Sequence, residues 1–323
     1  MEFSVLKMNK YHSILILTLV LITSCTKEVI VDIPEADSKL VIDGRIETGQ
    51  PPIVLLTRSK YIYEEVNGNL LLEALVSGAT VSVSDGTNTV ILDEICSQSL
   101  PQSSQEAIAS FLDIPVEELS TANICFYSTA NTSIFGEVGK TYDLKVQFEG
   151  NEYTSSTQLL NPVPMDSLYW KEDQEYPDNG YSWLYLSDPP NEYNAYFWEC
   201  KRINIQGDGS TLDDRYVPTF NPAFDDQFFN GLTFTFAYEN PHNFNPDTPL
   251  SERGFYQRGD SVAIKFSRID KAVYEFMEIK YLQLQTGGSP FATPSNLPTN
   301  ISGGALGVWA GYATYFDTLY CNN

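Results

Sequence analysis

The sequence predicts a mainly β protein built from two β-rich units, with one long helix in the second. Three observations carry that expectation. Short β-branched and aromatic runs recur along the chain, several of them alternating between apolar and polar positions. Turn formers, 20 Gly and 18 Pro, punctuate those runs. A single long segment, 268–284, keeps a helical period instead.

The chain opens with Lys7 and Lys10, then the apolar run Ile14 to Ile22, then Thr23, Ser24 and Cys25. A positive start, an apolar core of roughly 7 to 15 residues and small residues before the cut make a secretory signal. The cysteine makes it a lipoprotein signal, because its thiol can take a diacylglyceryl thioether while its amine becomes the new N-terminus. Residues 1–24 are thus read as a signal peptide, Cys25 as the lipidation site, and the protein as lipid-anchored. The apolar run is too short to cross a hydrocarbon core of roughly 30 Å. Met8 is an alternative start that leaves the mature chain unchanged. Losing Glu2, Lys7 and Lys10 makes the mature chain one charge more negative than the −23 of the full sequence. So acidic a protein binds neither nucleic acid nor anionic lipid through its general field.

Residues 25–38 hold Pro34 and the carboxylates of Glu28, Asp32, Glu35 and Asp37, without an aromatic, and read as a lipidated tether. From Lys39 the pattern turns to strands: Leu40 to Ile42, Ile53 to Leu56, and Ala79 to Ser84 with Ala79, Val81 and Val83 on one face. Asp85-Gly86 turns into Thr89 to Leu92. A second hairpin places Tyr142, Leu144, Val146 and Phe148 on one face, turns at Gly150-Asn151 and returns through Tyr153, Ser155 and Thr157. Such spacing predicts an immunoglobulin-like β-sandwich over 39–163. One insertion, Ser104 to Ser120, has helical spacing at Ala107, Ile108, Phe111 and Leu112 and reads as two short surface helices. Its likeness to a DNA-binding helix pair is set aside because the segment is acidic and exported.

Asn161-Pro-Val-Pro-Met165 reads as a stiff linker. The second unit, 164–323, is expected to be a β-rich sandwich or barrel domain. Its strands fall at Trp183 to Leu186, Ala195 to Cys200, Leu232 to Tyr238 and Val262 to Phe266, with long polar loops at Asn204 to Asp214 and Glu239 to Ser251. The helix Arg268 to Leu284 has Ser267 and Asp270 at capping-box spacing and Gly287-Gly288 at its end. A closing strand follows Ile301.

Four further cysteines, Cys96, Cys125, Cys200 and Cys321, allow three disulfide connectivities. Pairing Cys96 with Cys125 and Cys200 with Cys321 keeps each bridge within one unit; four buried thiols are the alternative. Chemistry is sparse. His242 is the only histidine outside the signal and lies in a polar loop, and no G-x-S-x-G occurs. Asp213, Asp214, Asp225 and Asp226 are the acids a glycosidase would draw on. Asp208, Asp213 and Asp214 form a weak calcium candidate lacking EF-hand spacing. Of the aromatics clustered after the linker, Trp170 and Tyr181 fall outside the firmest strands and are the better candidates for stacking on a ligand. No cofactor and no catalytic residue is expected.

The lipoprotein signal, LVIDGRIETG, VSGATVSVSD, GKTYDLKVQFEGNEYTSST, PVPMDSLYW, GDSVAIKFSRIDKAVYEF and NISGGALGVWAGY, in that order, resemble a family of Bacteroidetes-type outer-membrane lipoproteins of unknown function. Members are often encoded beside TonB-dependent receptors. The resemblance implies an outer-membrane, cell-surface location and a non-enzymatic accessory or ligand-binding role with such a receptor in nutrient uptake. A structural or adhesive lipoprotein and a surface glycan hydrolase are the alternatives. The working surface is expected on the long loops of 164–323.

Overall fold

The computed structural model describes residues 38–59, 74–244, 247–286 and 296–322. The expected signal, the tether, Cys25 and the glycine pair after the helix lie outside the described residues. Ser38–Asn323 forms one compact unit. In chain order its elements are β1 (Leu40–Glu47), β2 (Ile53–Arg58), β3 (Thr80–Ser84), β4 (Thr89–Ile91), β5 (Asp93–Cys96), α1 (Gln102–Leu112), α2 (Val116–Ala122), β6 (Cys125–Ser128), β7 (Thr141–Phe148) and β8 (Asn151–Gln158). Then come β9 (Ser167–Glu172), β10 (Asn179–Ser187), β11 (Ala195–Arg202), β12 (Val217–Asp225), β13 (Thr233–Tyr238), β14 (Tyr256–Gln257), β15 (Ser261–Ile269), α3 (Lys271–Thr286) and β16 (Leu306–Tyr320). The protein is mainly β, as expected.

The frame is an eight-stranded mixed sheet in the order β12-β11-β15-β16-β1-β2-β6-β5. Strands from both sides of the Asn161 to Met165 linker share it, so the expected boundary at residue 163 is not a break in the hydrogen-bonded structure. The join is the parallel pair β1 and β16, running from Val41 opposite Leu306 to Glu47 opposite Tyr312. Close approach there demands glycine. A Cβ on Gly44 would lie 2.6 Å from the Trp309 ring, and Gly307, at φ +103°, would put one 2.0 Å from the Ile42 carbonyl oxygen.

One face of this sheet carries two smaller sheets. The sheet β4-β3-β7-β8 encloses Ile42, Ile46, Val54 and Leu56 with Val81, Val83, Leu144 and Val146. Trp309 from the last strand completes that core and donates from Nε1 to the Tyr142 carbonyl at 2.8 Å. Tyr142 Oη donates to the Phe135 carbonyl at 2.9 Å, a strand-start tyrosine tying back to upstream backbone as in immunoglobulin-type sandwiches. The other small sheet pairs β10 with β13, β14 and β9 and covers Tyr196, Trp198, Val262, Ile264 and Phe266. The opposite face of the large sheet is covered by helices: α3 packs on Phe197, Ile269, Val308 and Ala310, and α1 with α2 packs on Ile53, Leu55 and Phe126. No described helix is long and apolar enough to cross a membrane.

The expected strands and helices are present; β5, β6, β9, β12 and β14 are additions, and the start of the long helix is shifted. β12 contains Pro218 and Pro222, which local reading takes as loop; it is an edge strand, where a missing N–H is tolerated. β9 completes the aromatic segment after the linker. Arg268 and Ile269 remain in β15, and α3 starts at Lys271 because the Asp270 carboxylate accepts from the Val273 N–H at 2.9 Å.

Candidate functional site

Alternation on the strands of the large sheet puts apolar side chains under the small sheets. The residues between them go to the helix-covered face, and there four central strands contribute charge or hydroxyl: Arg45 and Glu47 from β1, Glu199 and Lys201 from β11, Lys265 and Ser267 from β15, Tyr312 and Thr314 from β16. Arg45 donates from both terminal nitrogens to Glu199, at 3.1 and 2.7 Å, and from Nη2 to Glu47 at 3.0 Å. Lys265 Nζ lies 2.9 Å from Glu47 Oε1, and Thr314 Oγ1 donates to that same oxygen at 3.3 Å. The guanidinium sits 4.1 Å above the Tyr312 ring, and the Lys265 ammonium 4.5 Å from the Tyr216 ring centre.

Arg45, Glu47, Glu199 and Lys265 are only 2 to 13% exposed, and within this group the two cations balance the two carboxylates. Burial works against charge on Arg45, but Glu199 and Glu47 more than reverse it and hold the guanidinium protonated. Burial likewise pushes the Glu47 carboxyl up, while Arg45 and Lys265 bring it below the usual carboxylate range. At neutral pH Arg45 and Glu47 therefore both carry their charge. The stripe binds residues 45–47 to strands some 150 and 220 positions later, at Glu199 and Lys265.

Above the stripe the helices leave a cleft. A cavity of about 270 Å³ is bounded by Lys265, Phe316, Tyr216, Arg215 and α1 residues such as Phe111. A second, of about 430 Å³, runs between α1 and α3 over Tyr312, Glu199 and Tyr281. Arg45, Ser110 and Phe111 border both. The roof is fixed by the Cys96–Cys125 disulfide at the base of the helical insertion. It is also fixed by the segment before β12: the Tyr216 N–H donates to Ser110 Oγ at 3.0 Å, and the Val116 N–H donates to Asp214 Oδ2 at 2.9 Å. Arg215 lies 3.5 Å from Asp113. The helical insertion and the end of the Asn204 to Asp214 loop therefore form one wall. Burial pushes the Tyr216 hydroxyl up to about 12.

The residues singled out from sequence go to several places. Cys96 and Cys125 are bridged, but Cys200 and Cys321 are free and buried, so the expected second bridge is corrected. Cys200 pairs with Ile264, which pairs with Asp317, so Cys321 is two strands across and four residues along. That separation exceeds the roughly 4.4 to 6.8 Å between Cα atoms that a disulfide spans. Cys200 Sγ instead shares a hydrogen bond with Tyr256 Oη at 3.0 Å.

The calcium candidate is corrected as well. Asp213 chelates the Arg202 guanidinium at 3.0 and 2.7 Å, Asp208 accepts from Ser210, and Asp214 serves Val116 and Arg215. Among the described residues no group of three or more His, Cys, Asp or Glu could hold a metal ion. His242 is not a solvated loop residue: its Nε2 lies 3.2 Å from the Cys200 carbonyl and 3.6 Å from Asp213. Burial holds its pKa below the ordinary 6.5, against the pull of Asp213. Of the remaining acids, Asp226 is buried and accepts from the Asn194 N–H at 2.9 Å and from the Asn230 amide at 3.1 Å, which makes it a loop fastener.

The aromatics reverse their expected ranking. Trp170 is 8% exposed and belongs to the core, and Tyr181 packs on Phe255 with ring centres 4.7 Å apart. Tyr169 and Tyr185, inside strands, are the exposed ones.

Sequence reading passed over the charged stripe. Its signal was one charged residue at alternate positions within otherwise apolar strands, as in Ala195 to Arg202 and Ser261 to Ile269. No curated protein and no solved structure matches the chain. Residues 26–315 match the family described as domain of unknown function (DUF4249), and the chain belongs to that family.

Proposed function

We propose that this protein is a lipid-anchored, non-enzymatic accessory or ligand-binding subunit of a TonB-dependent nutrient-uptake system at the outer membrane, exposed on the cell surface. The observation that carries the reading is the cleft: a disulfide-fixed helical roof over a sheet face where Arg45, Glu47, Glu199 and Lys265 are paired with one another. Such a face suits recognition better than bond breaking, because Glu47 and Glu199 are both held by cations and neither is a free base for a nucleophile. The lipoprotein signal ahead of the folded unit and the family membership support the location and the partner. The same arrangement joins two segments expected to act apart. Residues 102–122 and 204–216 make one wall, so the partner-facing surface draws on both halves of the chain.

The test is a mild-detergent pull-down of the tagged, lipidated protein. Stoichiometric recovery of a large β-barrel receptor is expected, reduced by Tyr216→Ser or Phe111→Ser at the cleft. Repeated recovery without a receptor refutes the reading and favours a stalk or adhesive role. Within the Asn204 to Asp214 loop the exposed tip Gly207 to Ser210 is the segment to replace, since Asp213 holds Arg202.

A further inference from the structure

The outer face of the sheet formed by β9, β10, β13 and β14 carries a row of aromatic side chains, of which Tyr181 also packs on Phe255. On β10, Ser182, Leu184 and Leu186 turn inward, while Tyr181, Trp183 and Tyr185 turn out. On β9, Tyr169 lies opposite Trp183 and Lys171 opposite Tyr181. The Tyr169 and Trp183 rings are near-parallel, 18° apart in tilt with centres separated by 6.4 Å. Tyr169 and Tyr185 are 41% and 45% exposed. On the other side of β10, the neighbours of Trp183 and Tyr185 are Ala237 and Thr235, too small to wall the row in. Alternate residues on a strand are about 6.6 Å apart, so the three β10 rings span roughly 13 Å.

At the Tyr181 end the row opens into a shallow depression of about 570 Å³ bordered by Lys171 and the turn Glu172 to Glu175. The turn is held by its own backbone: Asp173 Oδ1 accepts from the Glu175 and Tyr176 N–H groups at 2.9 and 3.1 Å, and Glu172 Oε1 accepts from Asp178 at 2.7 Å. Gln174 and Glu175 remain exposed at the rim, and the Lys171 ammonium sits 5.0 Å from the Trp183 ring centre.

A strip of ring faces bordered by hydrogen-bonding groups matches one ligand shape. A pyranose presents an apolar C–H face to lay on an aromatic ring and hydroxyls in its ring plane to meet a carboxylate, amide or ammonium. The length of the strip favours an extended chain over a single sugar, and three carboxylates in the adjoining turn repel an anionic one. We propose that the β9–β10 face binds a neutral linear glycan, with Trp183 and Tyr169 as the stacking residues. This site lies apart from the charged cleft and stands independently of the receptor reading.

Binding is tested by calorimetric titration of the folded protein with cellohexaose, xylohexaose, mannohexaose and maltohexaose, with hexagalacturonate as the anionic probe. At least one neutral hexasaccharide is expected to bind. Trp183→Ala should weaken it about tenfold or more and Tyr169→Ala by a smaller factor, with unchanged urea midpoints showing that both fold. Ile91→Ala, an exposed side chain on β4 of the other small sheet, should leave affinity unchanged. The proposal is overturned if none of the four neutral probes binds, if Trp183→Ala stays within about twofold of the parent, or if hexagalacturonate binds as tightly. Loss of receptor recovery in Trp183→Ala with no glycan binding would make the face a protein-docking surface instead, and equally overturn it.

Discussion

Replacing Arg45 with methionine should destabilise the fold by about 3 to 5 kcal/mol, more than any surface ion pair is worth. The magnitude follows from the charge count. With Arg45 gone, Glu47 and Glu199 face Lys265 alone, and Glu199, 2% exposed, is left as an uncompensated buried carboxylate. Glu199→Leu should cost about as much for the converse reason, since Arg45 and Lys265 would then share one carboxylate. The double variant Arg45→Met, Glu199→Leu removes one charge of each sign and leaves the Glu47–Lys265 pair intact at 2.9 Å. It should be less destabilised than either single variant, the mark of a coupled buried pair. Urea unfolding of the non-lipidated chain, followed by fluorescence of the buried Trp198 and Trp309, gives the numbers. A cost below about 1 kcal/mol for Arg45→Met, or a double variant equal to the sum of the singles, would show that water reaches these charges and that the stripe does not join the two halves.

Labelled palmitate should enter the wild type and be absent from Cys25→Ala; an unlabelled wild type in the soluble fraction would end the lipid-anchor reading. Non-reducing mass mapping should find Cys96 linked to Cys125, with Cys200 and Cys321 modified by alkylating reagent only after unfolding, as their burial requires. Replacing the bridge by two alanines should cost about 3 to 4 kcal/mol on the chain-entropy view, and rapid native alkylation of Cys200 would contradict the packing. His242, whose folded pKa is below 6.5, binds a proton more readily when unfolded. Its contribution is therefore complete above pH 6.5 and is lost as pH falls from there through the folded value. Proton NMR of the mature protein should show its single imidazole titrating below 6.5, and a midpoint above 6.5 would refute the burial.

The sequence alone determined the β class, most strands, both hairpins, the helical insertion and the long helix, because each is written in local periodicity and turn chemistry. The alternation of Tyr142, Leu144, Val146 and Phe148 acts within a few residues and is legible as such, whereas the helix start expected at Ser267 falls at Asp270 because Ser267 is held in β15. Tertiary structure alone decided that β1 lies parallel to β16, since nothing within a few residues of Gly44 shows that Trp309 will occupy its surface. That pairing brings the Arg45 strand within reach of Glu199 and Lys265, and so creates the charged stripe and its cleft. It also unites in one sheet two stretches that each look like a domain by themselves. The Cys200–Cys321 pairing failed for the same reason: closeness within a predicted unit says nothing about strand order, and β15 runs between the two cysteines. Periodicity reports which side of a strand is buried, whereas strand order decides which buried charges meet.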